Sequence, residues 1–152
     1  MGEEYLKNAF EAYKASCYGS TNVKSFDQFD DRDMMVTKKA RSIVRKHNFM
    51  VDATRIDVRV VHEIPRCGIF GGEVLGRCAS YGPKGNWEGS VIMVAEKAYK
   101  NKPVLEGVLR HELAHAIHGT YDRAHPENDP NFQRLCKYLG GFVTWGDVEK
   151  YL

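Results

Sequence analysis

The chain predicts an α+β fold, with a short three-stranded sheet packed with about four helices. Three observations carry this. Apolar residues recur at helical spacing in four separated stretches, strand-length runs with alternating or continuous apolar character fall between residues 54 and 94, and glycine- or proline-bearing breaks divide the two kinds. At 152 residues the length suits one domain with one core, so residues 1–152 are read as a single unit. Within it, residues 1–50 hold the N-terminal helices, 54–94 the sheet, and 103–141 two further helices.

Leu6, Phe10, Tyr13 and Cys17 recur at helical spacing, so a first amphipathic helix is expected over residues 3–17. After a polar linker, the acidic cluster Asp30, Asp31 and Asp33 offers an N-cap, and Val36, Ala40, Ile43, Val44 and His47 share the stripe that follows. Ile56 to Val60 alternates as a half-buried strand should. A second strand is expected over Val74 to Tyr81, after a glycine-rich turn at Gly68, Gly71 and Gly72, and a third over Ser90 to Val94. Pro103 suits the first turn of a helix that should run to the stop at Gly119. Asp129-Pro130 caps the last helix, which presents Phe132, Leu135, Cys136 and Leu139 on one face and closes at Gly140-Gly141.

Composition excludes several classes. Apolar residues at 43% and charged residues at 28% mark a globular chain, with no apolar run long enough to span a bilayer. The first residues lack a secretory pattern, and Leu6 stands where myristoylation needs Ser or Thr. A formal net charge of +2 is too small to argue nucleic-acid binding alone. Cys17, Cys67, Cys78 and Cys136 form no Cys-x-x-Cys pair, so neither a zinc ribbon nor a disulfide framework is expected. Free thiols in a cytoplasmic or nuclear setting, in a monomer that is not secreted, are the expectation.

The chemistry lies at His111-Glu112-Leu113-Ala114-His115. Helix positions four apart stack on one face, so His111 and His115 can address one metal ion at the ~2.0–2.1 Å of a Zn–N bond. Glu112 projects about 100° round the helix from His111, beside the metal, where its carboxylate can take a proton from an activated water. The plain alternative is a polar helix face that happens to carry two histidines. Against it, the motif sits inside a capped helical segment, and Leu113 and Ala114 suit packing on a sheet. A catalytic zinc needs a third protein ligand. His118, Asp122, His125 and Asn128 are the candidates downstream. Three ligands from one helix crowd the tetrahedron, and His118 reads as a helix-end histidine favoured by the dipole. His125 lies in a loop that can fold back, and is chosen; Asp122 could substitute or support a ligand histidine.

From Val104 to Gly141 the chain resembles the SprT-like zinc peptidases, which include the Spartan-type proteases of DNA–protein crosslink repair. There, a loop histidine just before a new helix completes the metal site, and Asp129-Pro130-Asn131-Phe132 is similar to the start of that helix. Upstream, Gly76-Arg77-Cys78-Ala79 and Val91-Ile92-Met93-Val94 resemble the family's strands, so the likeness covers roughly residues 74 to 141. It implies a small zincin-like domain and a zinc-dependent endopeptidase, with His111 and His115 as two metal ligands, a loop residue as the third and Glu112 as general base. It also implies that the strand before the motif helix is a sheet edge able to hold an extended peptide. Aligned on Phe132, however, Asn128 stands at the family's third-ligand position, and the family's zinc ribbon is missing.

Protein or peptide is therefore the expected substrate, DNA-bound protein included, with no membrane partner expected. Lys38, Lys39, Arg41, Arg45 and Lys46 form a basic helix face, and Tyr81 and Trp87 flank a loop where bases could stack, although such a face is usually only solvated and a loop aromatic more often caps the core. Two other classes compete. One is a metal-binding regulatory domain of ImmA/IrrE type, whose Glu-x-x-Ala-Asn segment has no counterpart here; the other is a nucleic-acid module with a degenerate site. For the third ligand, His125→Ala is expected to lower zinc stoichiometry sharply in metal analysis of the purified protein. Unchanged zinc would move the assignment to His118, Asp122 or Asn128.

Overall fold

The computed structural model describes residues 29–47, 51–64, 74–82, 87–118 and 129–152, together with residues 4, 7, 8 and 11. Those four isolated residues are helical; the rest of the helix expected over 3–17, and the turn at Gly68 to Gly72, lie outside the described residues. The fold is α+β. Five helices are described: α1 (Asp31–Lys46), α2 (Glu96–Tyr99), α3 (Lys102–His118), α4 (Pro130–Leu139) and α5 (Trp145–Glu149). They surround a mixed sheet of β1 (Ile56–Val61), β2 (Gly76–Tyr81) and β3 (Gly89–Ala95) in the order β1-β3-β2. Neither α2 nor α5 was foreseen, since four and five residues are too few to show a helical period.

Local chemistry sets the helix ends. Asp30 caps α1 in a reciprocal pair with Asp33: each carboxylate accepts from the other residue's main-chain N–H at 3.0 Å. Asp129 caps α4 through Asn131 N–H, 2.8 Å, and Gly140 ends it in the left-handed region at φ 78°.

β3 is central, parallel to β1 (Ile56 beside Ser90) and antiparallel to β2 (Gly76 beside Val94). The strand before α3 is thus not a sheet edge, contrary to expectation; among the described strands β1 and β2 are the outer ones. The physical reason is visible in β3 itself, where every residue is buried and no polar face remains to meet water. Its apolar side chains join those of β1, the inner faces of α1 and α3, and Phe132, Cys136 and Leu139 of α4 in one core.

β1 also departs from the half-buried expectation, because all six of its residues are buried. Asp57 and Arg59 pair at 2.9 Å, and Asp57 also accepts from the Thr37 hydroxyl at 3.2 Å. The Phe29 ring lies 4.3 Å from the Arg59 guanidinium carbon, and Asp33 approaches Arg59 at 3.9 Å. The polar half of the strand is therefore buried as a paired set.

Among the described residues, the outer edge of β1 is closed by side chains of α1 rather than by another strand. Val60 N–H donates to Asp33 Oδ1 at 2.7 Å and Val58 N–H to Thr37 Oγ1 at 2.9 Å. Thr37 donates in turn to the Val58 carbonyl at 3.1 Å, and Arg41 Nε donates to the Ile56 carbonyl at 2.9 Å. Two periods match here: four residues of helix rise about 6.0 Å and two of strand about 6.6 Å, so every fourth side chain of α1 meets every second residue of β1. Thr37→Val keeps the shape but leaves the buried Val58 N–H without its acceptor. It is expected to lower unfolding free energy by about 1–3 kcal/mol in urea titration.

Candidate metal centre

α3 carries the motif, and its sequence decides how it lies. Leu109, Leu113, Ala116 and Ile117 are buried in the body of the protein, which turns His111 and His115 to a half-buried face. Leu113 and Ala114 pack fully inside, as expected from the sequence. His111, Glu112 and His115 offer one donor atom each, all within 4.8 Å of one another, the one such group among the described residues.

Each member has a separate support. The His115 ring stacks on Phe132 of α4, with centroids 4.2 Å apart and planes 24° apart. The His111 ring meets Phe132 edge-on at 5.4 Å and His115 at 5.0 Å. His111 Nδ1 lies 2.6 Å from the carbonyl oxygen of Phe142. Glu112 is buried at 6% exposure because β2 comes in close above it. The approach occurs at Gly76, where a Cβ would stand 2.5 Å from Val108 Cγ1, 3.1 Å from Glu112 Cγ and 3.3 Å from Glu112 Oε2. That glycine is a steric requirement of the site.

A cavity of about 320 Å³ opens beside the group, with Val74, Leu75, Val108, Val143 and Val148 as apolar walls and His111 and Glu112 on its lining. A carboxylate at the side of an apolar cavity, next to two imidazoles, can bind a proton, release it, and face a small polar group. Cys78 sits nearby on β2. Burial, and then the Glu112 carboxylate, push its thiol up to about 12 against hydrogen bonds from Ser80 and Ser90. It is a neutral thiol near pH 7 and offers no thiolate nucleophile there.

The two imidazoles suit zinc, which takes His nitrogen readily and keeps one position open in catalytic sites. His118 is not part of the group: it is buried at 2% exposure with its ring edge-on to Phe132 at 6.2 Å. His125, Asp122 and Asn128 lie outside the described residues. Phe132 and Phe142 were missed as site residues. Phe132 stood out as one of an apolar stripe and as the aromatic of the family-like helix start, without a role at the site, and Phe142 had no signal beyond following a double glycine.

The basic face of α1 is partly used by the fold. Lys39 pairs with Glu106, and Arg41 donates to the carbonyls of Ile56 and Thr54, leaving Lys38, Arg45 and Lys46 exposed. Trp87 is half-buried, with its indole N–H donating to Ser90 Oγ at 2.9 Å, as a core-capping aromatic does; the Tyr81 side chain lies outside the described residues. No helix among the described residues is long and apolar enough to cross a membrane.

Compared with known proteins, the chain matches no family model, no curated protein and no solved structure.

Gly76→Ala forces Val108 or β2 to move by several tenths of an ångström. A stability loss of about 1–3 kcal/mol is expected from this overpacking, read by denaturant unfolding. Unchanged stability would mean that β2 does not press on α3.

Proposed function

We propose that this chain is a zinc-dependent endopeptidase of the zincin-like, SprT-like kind, cleaving protein substrates with Glu112 as general base. The observation that carries the reading is the convergence of His111, Glu112 and His115, with the carboxylate buried at the side of a cavity. His111, His115 and a third ligand, for which His125 is the choice, would hold the zinc, which when bound would supply Lewis acidity to the scissile carbonyl and a water acidified toward ~7. Glu112 then takes the proton of the attacking water and delivers it to the departing amine.

Two features favour a peptide as the substrate. Ala95 N–H donates to the Leu75 carbonyl at 3.0 Å, and antiparallel alternation from that pair turns the main-chain groups of Gly76, Cys78 and Ser80 to the outer side of β2. No strand among the described residues pairs on that side, so an extended peptide could lie along β2 with its main chain beside Glu112. The adjoining cavity walls favour an apolar side chain next to the cut.

DNA-bound or crosslinked protein is the substrate class proposed from the resemblance, with the exposed Lys38, Arg45 and Lys46 as the phosphate contacts. A reducing, intracellular setting goes with that reading. Single-stranded DNA added to a cleavage assay should raise the rate, and a flat response would remove DNA from the proposal.

Glu112→Gln tests the chemistry. It should retain zinc and fold while cutting self-cleavage and cleavage of an unfolded substrate at least about 10²-fold. Parent-like cleavage would refute the mechanism. A zinc-loaded parent that cleaves nothing would favour a regulatory metal domain instead.

A further inference from the structure

The main chain of Phe142 is held against α3 at two points one helical turn apart. Its N–H donates to the Gly107 carbonyl at 3.1 Å, and its carbonyl oxygen lies 2.6 Å from His111 Nδ1. Residues 107 and 111 stack on one helix face, so the main chain of one residue can reach both.

Space for this contact exists because two side chains are missing. A Cβ on Gly107 would lie 2.3 to 2.5 Å from three atoms of the Phe142 ring. A Cβ on Gly141 would lie 2.7 Å from the His111 main-chain nitrogen and 2.9 Å from the Arg110 carbonyl carbon. Both distances are below any real Cβ contact, so larger residues would push the segment off the helix.

The segment is fixed on both sides of Phe142. Before it, Gly140 ends α4 and Arg110 donates to the Leu139 carbonyl at 2.9 Å. After it, Asp147 accepts from the main-chain N–H groups of Val143 and Thr144 at 2.9 and 3.1 Å, which hold its carboxyl below the usual range. The Phe142 ring stacks on Tyr151, with centroids 5.8 Å apart.

A carbonyl oxygen only accepts, so at 2.6 Å the proton of a neutral His111 ring sits on Nδ1. The ligating lone pair is then on Nε2, and rotation of the ring is opposed by the same bond. The geometry points to Phe142 as a positioning residue of the metal centre: its carbonyl selects the tautomer of His111 and aims the ring, and Gly107 and Gly141 are there to admit it. The inference rests on His111 being a metal ligand.

The test is a double-mutant cycle on the full chain, read as zinc affinity by competition with a chelator. Gly107→Ala should weaken zinc binding about 10- to 100-fold. On helix propensity alone the same change would stabilise α3 and leave zinc untouched. Phe142→Ala removes the ring that the new Cβ meets but keeps the carbonyl, so in that background Gly107→Ala should cost only a few-fold. An unchanged affinity in Gly107→Ala, or an equal loss with and without the Phe142 ring, overturns the proposal.

A second measurement needs no metal. The ¹⁵N shifts of the His111 ring in the zinc-free parent should report the Nδ1–H tautomer, and an Nε2–H tautomer would overturn the proposal. A parent that takes up no zinc overturns the metal-centre reading and this inference with it, whereas an Nε2–H tautomer in a parent that does bind zinc overturns this inference alone.

Discussion

Main chain approaches α3 from two directions at distances that no side chain could occupy. Gly76 brings β2 down over Val108 and Glu112, and Gly141 lays the segment after α4 across Arg110 and His111. On α3 itself, Gly107 leaves the hollow in which the Phe142 ring lies. Glu112 is buried because of the first approach, and His111 has its carbonyl partner because of the second. Glycine in a strand or within a helix costs about 0.5–1 kcal/mol relative to alanine. Here that cost goes with the placing of two residues of the candidate metal centre.

The third residue of the group is held by different means. His115 has the flat face of Phe132 against it, and the same ring meets His111 and His118 with its edges. One fully buried aromatic therefore sets the spacing between α3 and α4 while touching three histidines. Its position near the start of α4 depends on the Asp129-Pro130 cap, which fixes where that helix begins. A cap several residues away thus contributes to the orientation of a candidate ligand.

How much of this could be read from the sequence follows from how far apart the partners are. The Asp30 cap, the Asp129-Pro130 start and the Gly140 stop were legible because each acts within a few residues. The placing of His111, Glu112 and His115 on one side of α3 was legible for the same reason. The burial of Asp57 was not, since its partner Thr37 lies 20 residues away on another element. The central position of β3 had a signal in the unbroken run Val91-Ile92-Met93-Val94, which reads more as a strand covered on both faces than as an edge. Phe142 lies 31 residues from His111, and a main-chain carbonyl has no residue type by which a motif could reveal it.

The closing of β1 by α1 has a consequence for how the protein meets copies of itself. A bare strand edge is a template on which another chain can add its own strand, and long apolar edges of this kind seed aggregation. On β1 the Val58 and Val60 N–H groups and the Ile56 and Val58 carbonyls already have partners in Asp33, Thr37 and Arg41. An incoming strand would have to displace a helix to gain nothing in hydrogen bonds. The apolar run Val58, Val60 and Val61 is thereby shielded, and the helix serves as a guard against self-association as well as a wall of the core.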